Sequence, residues 1–154
     1  MKILILSMAI STILIGCNNT LQPIEYGHRS CDYCKMTVVD RQYAAQLVTT
    51  KGKSFVFDAV ECMINYTRAE ENQRHEYSQI LVTDYLTPAK FTDAKTASFI
   101  RSENLPSPMG AFITAVKSSN NAKELKEKHG GMIYSWEELN NGFGDLPTLN
   151  HQQH

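Results

Sequence analysis

A chain of 154 residues has room for one ordinary domain or two very small ones. Its 15 basic and 16 acidic side chains give a net charge of −1 and no basic stripe, which removes the electrostatic case for nucleic-acid binding. Apolar residues make up 42% of the chain, enough for a core, and the only long apolar run lies at the N-terminus.

That run sets the expected compartment. Lys2 is a short basic head, and Ile3 to Ile15 is an apolar stretch too short to span a bilayer well. Leu14-Ile15-Gly16-Cys17 resembles a bacterial lipobox, so residues 1–16 are expected to be a removed lipoprotein signal and Cys17 the lipidated residue. An ordinary signal peptide or a buried apolar segment is the alternative. Acyl chains contribute about 0.8 kcal/mol per buried CH₂, so several on Cys17 would anchor the protein on the cell membrane, facing the periplasm or the cell exterior. Export leaves three thiols, Cys31, Cys34 and Cys62. An odd number in an oxidising compartment argues against a purely structural disulfide set.

Residues 17–30 are polar, carry Pro23 and Gly27, and read as a tether. Cys31-Asp32-Tyr33-Cys34-Lys35-Met36 follows, two thiols and a thioether within six residues. Soft sulfur donors favour Cu(I) over harder cations, although the CxxC pair alone is shared by redox disulfides, half zinc sites and copper sites. An extended chain from Cys34 to Met36 would put both sulfurs on one face. His28 is a supplementary candidate ligand, with simple solvation as its bland reading.

Thr37 to Val39 and Tyr43 to Thr50 are rich in β-branched residues and read as strand, with Lys51-Gly52-Lys53 turning into a second strand over Ser54 to Phe57. Asp58 and Glu61 have capping-box spacing before a helix. On that helix Ala59, Cys62, Met63 and Tyr66 share one apolar face, so Cys62 and Met63 are either core or further ligands. Ile80 to Thr83 reads as the next strand, completing strand, strand, helix, strand across 31–88.

The order repeats over 89–140. Lys90 to Asp93 reads as a short edge segment, Ala97 to Arg101 as a strand, and Ala111 to Val116 as its return. Between them lies Pro106-Ser107-Pro108-Met109-Gly110, whose methionine is either an edge of the core or a thioether on a stiffened loop. Asn121 and Glu124 suggest a second capping box, and Gly130-Gly131 a left-handed stop. Met132 to Tyr134 reads as the last strand and Ser135 with Glu138 as the cap of a last short helix, while 141–154, with His151 and His154, read as a flexible tail. The fold class expected is α+β, built from two ββαβ units that pack on each other, because about 50–55 residues is marginal for an independent core.

Cys31-x-x-Cys34-x-Met36, Phe57-Asp58-x-x-x-Cys62-Met63, Pro108-Met109-Gly110 and His129-Gly130-Gly131, in this order after a lipobox, resemble the NosL family of lipoprotein copper chaperones for nitrous oxide reductase assembly. The resemblance spans roughly Cys31 to Leu139 and also Cys17. It implies a pair of ββαβ units and Cu(I) as cargo. Cys34, Met36 and Met109 are the foremost ligand candidates it implies, with Cys31 next. Cys62 and Met63 match the pattern too. Lys35 departs from it where glycine is expected, and a lysine there forbids a cheap positive φ. The implied role is a carrier, not an enzyme, with a copper-accepting enzyme, chiefly nitrous oxide reductase, and a membrane assembly or transport complex as partners. The competing readings are a tethered thiol–disulfide oxidoreductase using Cys31 and Cys34, and a structural zinc module of Cys31, Cys34, Cys62 and His28.

Overall fold

β-branched and aromatic residues on either side of Gly52 pair as an antiparallel hairpin in the computed structural model, which describes residues 21–142. β1 (Ala45–Thr49) is buried along its whole length and pairs with β2 (Ser54–Phe57) in the register Ala45↔Phe57 to Val48↔Ser54. The chain then forms helix α1 (Val60–Arg68), a 3-10 turn at Glu70–Asn72, β3 (Tyr77–Thr83) on the other side of β1, and the short edge strand β4 (Phe91–Asp93). The first sheet runs β2-β1-β3-β4, all antiparallel, so the short segment read with the second unit pairs with β3 of the first instead.

The second unit repeats the plan. β5 (Ser98–Arg101) sits between β6 (Ile113–Val116) and β7 (Met132–Ser135), with helix α2 (Ser119–His129) joining β6 to β7 and helix α3 (Trp136–Gly142) closing the described chain. In both units the first strand lies in the middle, so the α+β fold of two packed ββαβ units is present. The units keep separate sheets and share one core.

Strand alternation explains that sharing. Successive residues of a strand face opposite sides of its sheet. On β5, Phe99 joins the main core while Ile100 joins a smaller cluster with Leu105, Val116, Ala122 and Leu125 under α2. Phe99, Ala111, Ile113 and Ala115 thus complete the core that Leu47, Phe57, Met63 and Val82 begin. Helix α1 lies between the sheets, touching β1 and β2 on one side and β6 on the other.

Several local expectations change. Thr37 makes only an isolated bridge with Ser30, and Tyr43 lies in a turn before β1. Neither expected capping box forms: Ala59 precedes α1 without a side-chain cap, and Ser118 caps α2 by accepting from the Asn121 N–H at 3.2 Å. The third box is present, since Glu138 accepts from the Ser135 N–H at 2.7 Å while its own N–H donates to Ser135 Oγ at 3.2 Å. Gly130 and Gly131 both hold positive φ, but ψ of −164° at Gly130 leads the chain directly into β7 instead of through a left-handed turn. The proposed signal at 1–16, Cys17, His151 and His154 lie outside the described residues. No helix of the described residues is long and apolar enough to cross a membrane.

Candidate metal centre

The Cys31–Met36 segment is a hairpin loop, not an extended strand. Cys31 N–H donates to the Met36 carbonyl at 2.8 Å, Val38 N–H to the Arg29 carbonyl at 2.8 Å, and Lys35 N–H back to the Cys31 carbonyl at 3.1 Å. Closing so short a loop takes a left-handed residue, and Lys35 supplies it at φ 66°. The backbone conformation expected of glycine is therefore adopted without the glycine. An L-residue pays about 1–2 kcal/mol for it, offset here by the loop's bonds and by Lys35 Nζ donating to the Asp32 carbonyl at 2.6 Å. Lys35→Gly is expected to raise stability by about 0.5–1 kcal/mol, measured as a higher urea midpoint at unchanged slope.

Asp32 fastens this loop to β2. Its N–H donates to the Val56 carbonyl at 2.8 Å, and its carboxylate accepts from the Val56 N–H at 2.7 Å and from Arg29 at 2.7 Å. Because β2 runs through Asp58 into α1, that attachment brings the loop's thiols to the helix N-terminus. The sulfurs of Cys31, Cys34 and Cys62 all lie within 4.8 Å of one another, and all three thiols are free. A metal about 2.3 Å from each of three sulfurs needs a sulfur triangle with sides of about 4 Å. The cluster has that scale.

Electrostatics sort the three thiols. Cys31 is 1% exposed, yet its pKa is drawn down to about 5: the Cys62 S–H donates to its sulfur, and the N–H groups of Asp58, Cys34 and Tyr33 also point at it. The start of a helix favours negative charge as well. Cys62, also 1% exposed, is pushed up because its proton is held by Cys31 and because it is buried. Burial raises Cys34, which is half-buried. Asp58, expected as a helix cap, instead takes the Val39 N–H, and burial together with the neighbouring Cys31 thiolate lifts its pKa to about 6. Cys31 is thus the most readily deprotonated of the three and Cys62 the least.

The other candidates are placed differently. Met36 stands at the rim, 57% exposed. Met109 is half-buried and packs against the main core from the Ser107–Gly110 turn. Met63 is fully buried within that core, and His28 is exposed in the turn ahead of the loop, outside the thiol cluster. Sequence reasoning gave Glu61 to a cap that does not exist. Its carboxylate accepts from the Ser107 hydroxyl and from the Ala111 N–H at 3.3 Å, and burial raises its pKa against those bonds. The available signal was an acid between Val60 and Cys62, inside the buried face of a helix.

The NosL family model matches residues 24–143. The crystal structure of the copper chaperone NosL from Shewanella denitrificans superimposes with a TM-score of 0.67 at 22% identity, over 78% of this chain and 95% of that one. Among curated proteins none matches the chain.

Proposed function

The chain belongs to the NosL family, and on that premise we propose that it is a carrier of Cu(I), held on the exported face of a membrane by lipid on Cys17. The observation that carries this reading is the convergence of three free cysteine sulfurs, two of them buried, within 4.8 Å of one another. Soft sulfur donors select Cu(I), and a cluster whose Cys31 thiol is drawn towards the thiolate has a smaller proton cost on loading. Cys31, Cys34 and Cys62 supply the thiolates. Met36 and Met109 supply thioethers, which bind without deprotonation. Met63, buried beside Cys62 in the core, and His28, exposed and outside the thiol cluster, are further candidates that this scheme does not require.

Transfer follows from the exposure gradient. Cys31 and Cys62 hold copper from the buried side, whereas Cys34 and Met36 face outward. An acceptor's ligands can join on that open side before the donor's leave, so no free copper is released. The recipient proposed is an exported copper enzyme, nitrous oxide reductase by family, reached through a membrane assembly or transport complex. The protein itself catalyses no reaction in this scheme.

Anaerobic Cu(I) titration of the purified protein against a chromophoric chelator tests the reading. One-to-one binding is expected, weakened about tenfold or more by Met36→Ala and by Met109→Ala, with circular dichroism unchanged. Binding indifferent to both methionines, with Cys31 and Cys34 cycling readily as a disulfide and reducing insulin, would replace the carrier with the oxidoreductase.

A further inference from the structure

Glu61 is 3% exposed, belongs to the first unit, and spends its carboxylate on the second. One oxygen accepts from the Ser107 hydroxyl and from the Ala111 N–H at 3.3 Å, and the Met109 N–H also points at the carboxylate. Ser107 is drawn into the same arrangement, for its hydroxyl oxygen accepts from the Phe112 N–H at 3.0 Å, and its carbonyl accepts from the Gly110 N–H at 3.0 Å. Every one of these bonds lies within Ser107–Phe112, the loop that carries Met109. Glu61 itself stands beside Cys62 in the first turn of α1. A buried carboxylate is expensive unless hydrogen-bonded, and an apolar side chain would fill the same space without holding any backbone.

We propose that Glu61 is a positioning residue for the metal site: its carboxylate clasps the Ser107–Ala111 loop to the turn bearing Cys62, so that the Met109 thioether is delivered to the thiol cluster from the other unit. This rests on the reading of the cluster as a Cu(I) site. Glu61 touches no metal in this scheme. It acts through Met109, and the entropy of ordering the loop is met on folding rather than on loading.

A double-mutant cycle separates this from mere support of the fold. Glu61→Gln and Ser107→Ala are each expected to weaken Cu(I) binding about tenfold in the parent protein, and to have no further effect in the Met109→Leu background. Ser107→Ala breaks the clasp from the loop side, so the test stands even where the Glu61 variant folds poorly. The second readout needs no metal: the Met109 methyl resonance of the copper-free protein is expected to shift and broaden in both variants. Equal losses of affinity in both backgrounds, or an unchanged methyl resonance, would overturn the clasp. Absence of Cu(I) binding by the parent protein would sink the carrier reading alone, because the methyl resonance still reports whether Glu61 orders the loop.

Discussion

Cys31→Ser is expected to lower Cu(I) affinity by about a hundredfold or more while leaving the fold intact. Serine keeps the size and accepts the same N–H groups, but an alcohol is a poor ligand for a soft monovalent cation. The substitution removes the thiolate around which the cluster is organised, since Cys62 donates to it and three backbone N–H groups surround it. A second effect carries a definite sign. The wild type is expected to gain one thiolate's ultraviolet absorbance as pH rises through about 5, the value to which Cys31 is drawn down. In Cys31→Ser that step vanishes, and Cys62, relieved of the thiolate that raises it, deprotonates at lower pH than before. An affinity within a few-fold of the parent would mean that Cys31 is spectator to the metal.

Gly131→Ala is expected to be the most destabilising change in the second unit, by about 3 kcal/mol or more in urea unfolding. A Cβ there would stand 2.2 Å from the Arg101 carbonyl oxygen and 2.9 Å from Ser102 Cβ, at φ +95°. The oxygen belongs to β5, so relief requires β7 to move off its partner. Loosening β7 also loosens Trp136 and Leu139, which follow it into the main core. The neighbouring glycine provides the contrast. Gly130 has nothing within 4 Å of a built Cβ, so Gly130→Ala costs only the backbone term of about 1–3 kcal/mol for its nearly glycine-only conformation. Equal effects at both positions would show that conformation, not close approach to β5, makes Gly131 necessary.

Elements set by period and turn chemistry were legible in the sequence. Ser54 to Phe57 forms a strand as read, the Ser135–Glu138 cap is made, and the repeated strand, strand, helix, strand order emerges as two antiparallel sheets. Local signals failed where tertiary bonds outbid them. Asp58 has the residue type and spacing of a cap, but its backbone N–H is committed to Cys31 and its carboxylate to Val39. Glu61 has the partner's spacing, but Ser107 lies 46 residues away, and no short-range pattern announces it. An extended chain from Cys34 to Met36 would set both sulfurs on one face, whereas the loop is closed by a lysine in glycine's conformation. The sulfur-bearing residues were visible as a set. What the sequence could not show was that a helix residue, Cys62, folds back onto the CxxC loop, because that depends on Asp32 fastening the loop to β2.

The shared core has a consequence for how the molecule comes apart. Phe57, Met63 and Cys62 from the first unit and Phe99, Ile113, Trp136 and Leu139 from the second belong to one contiguous cluster. Neither unit can melt without stripping apolar cover from the other, so heat or denaturant should take both in one cooperative transition. Trp136 is the chain's only tryptophan, packed 6.0 Å from Phe99 at the far end of the chain from the cysteine loop. Its emission therefore follows the one transition in which its own helix and the element bearing Cys62 come apart together. A native fluorophore in the last described element thus reports the unfolding that disperses a site built near the start of the described chain.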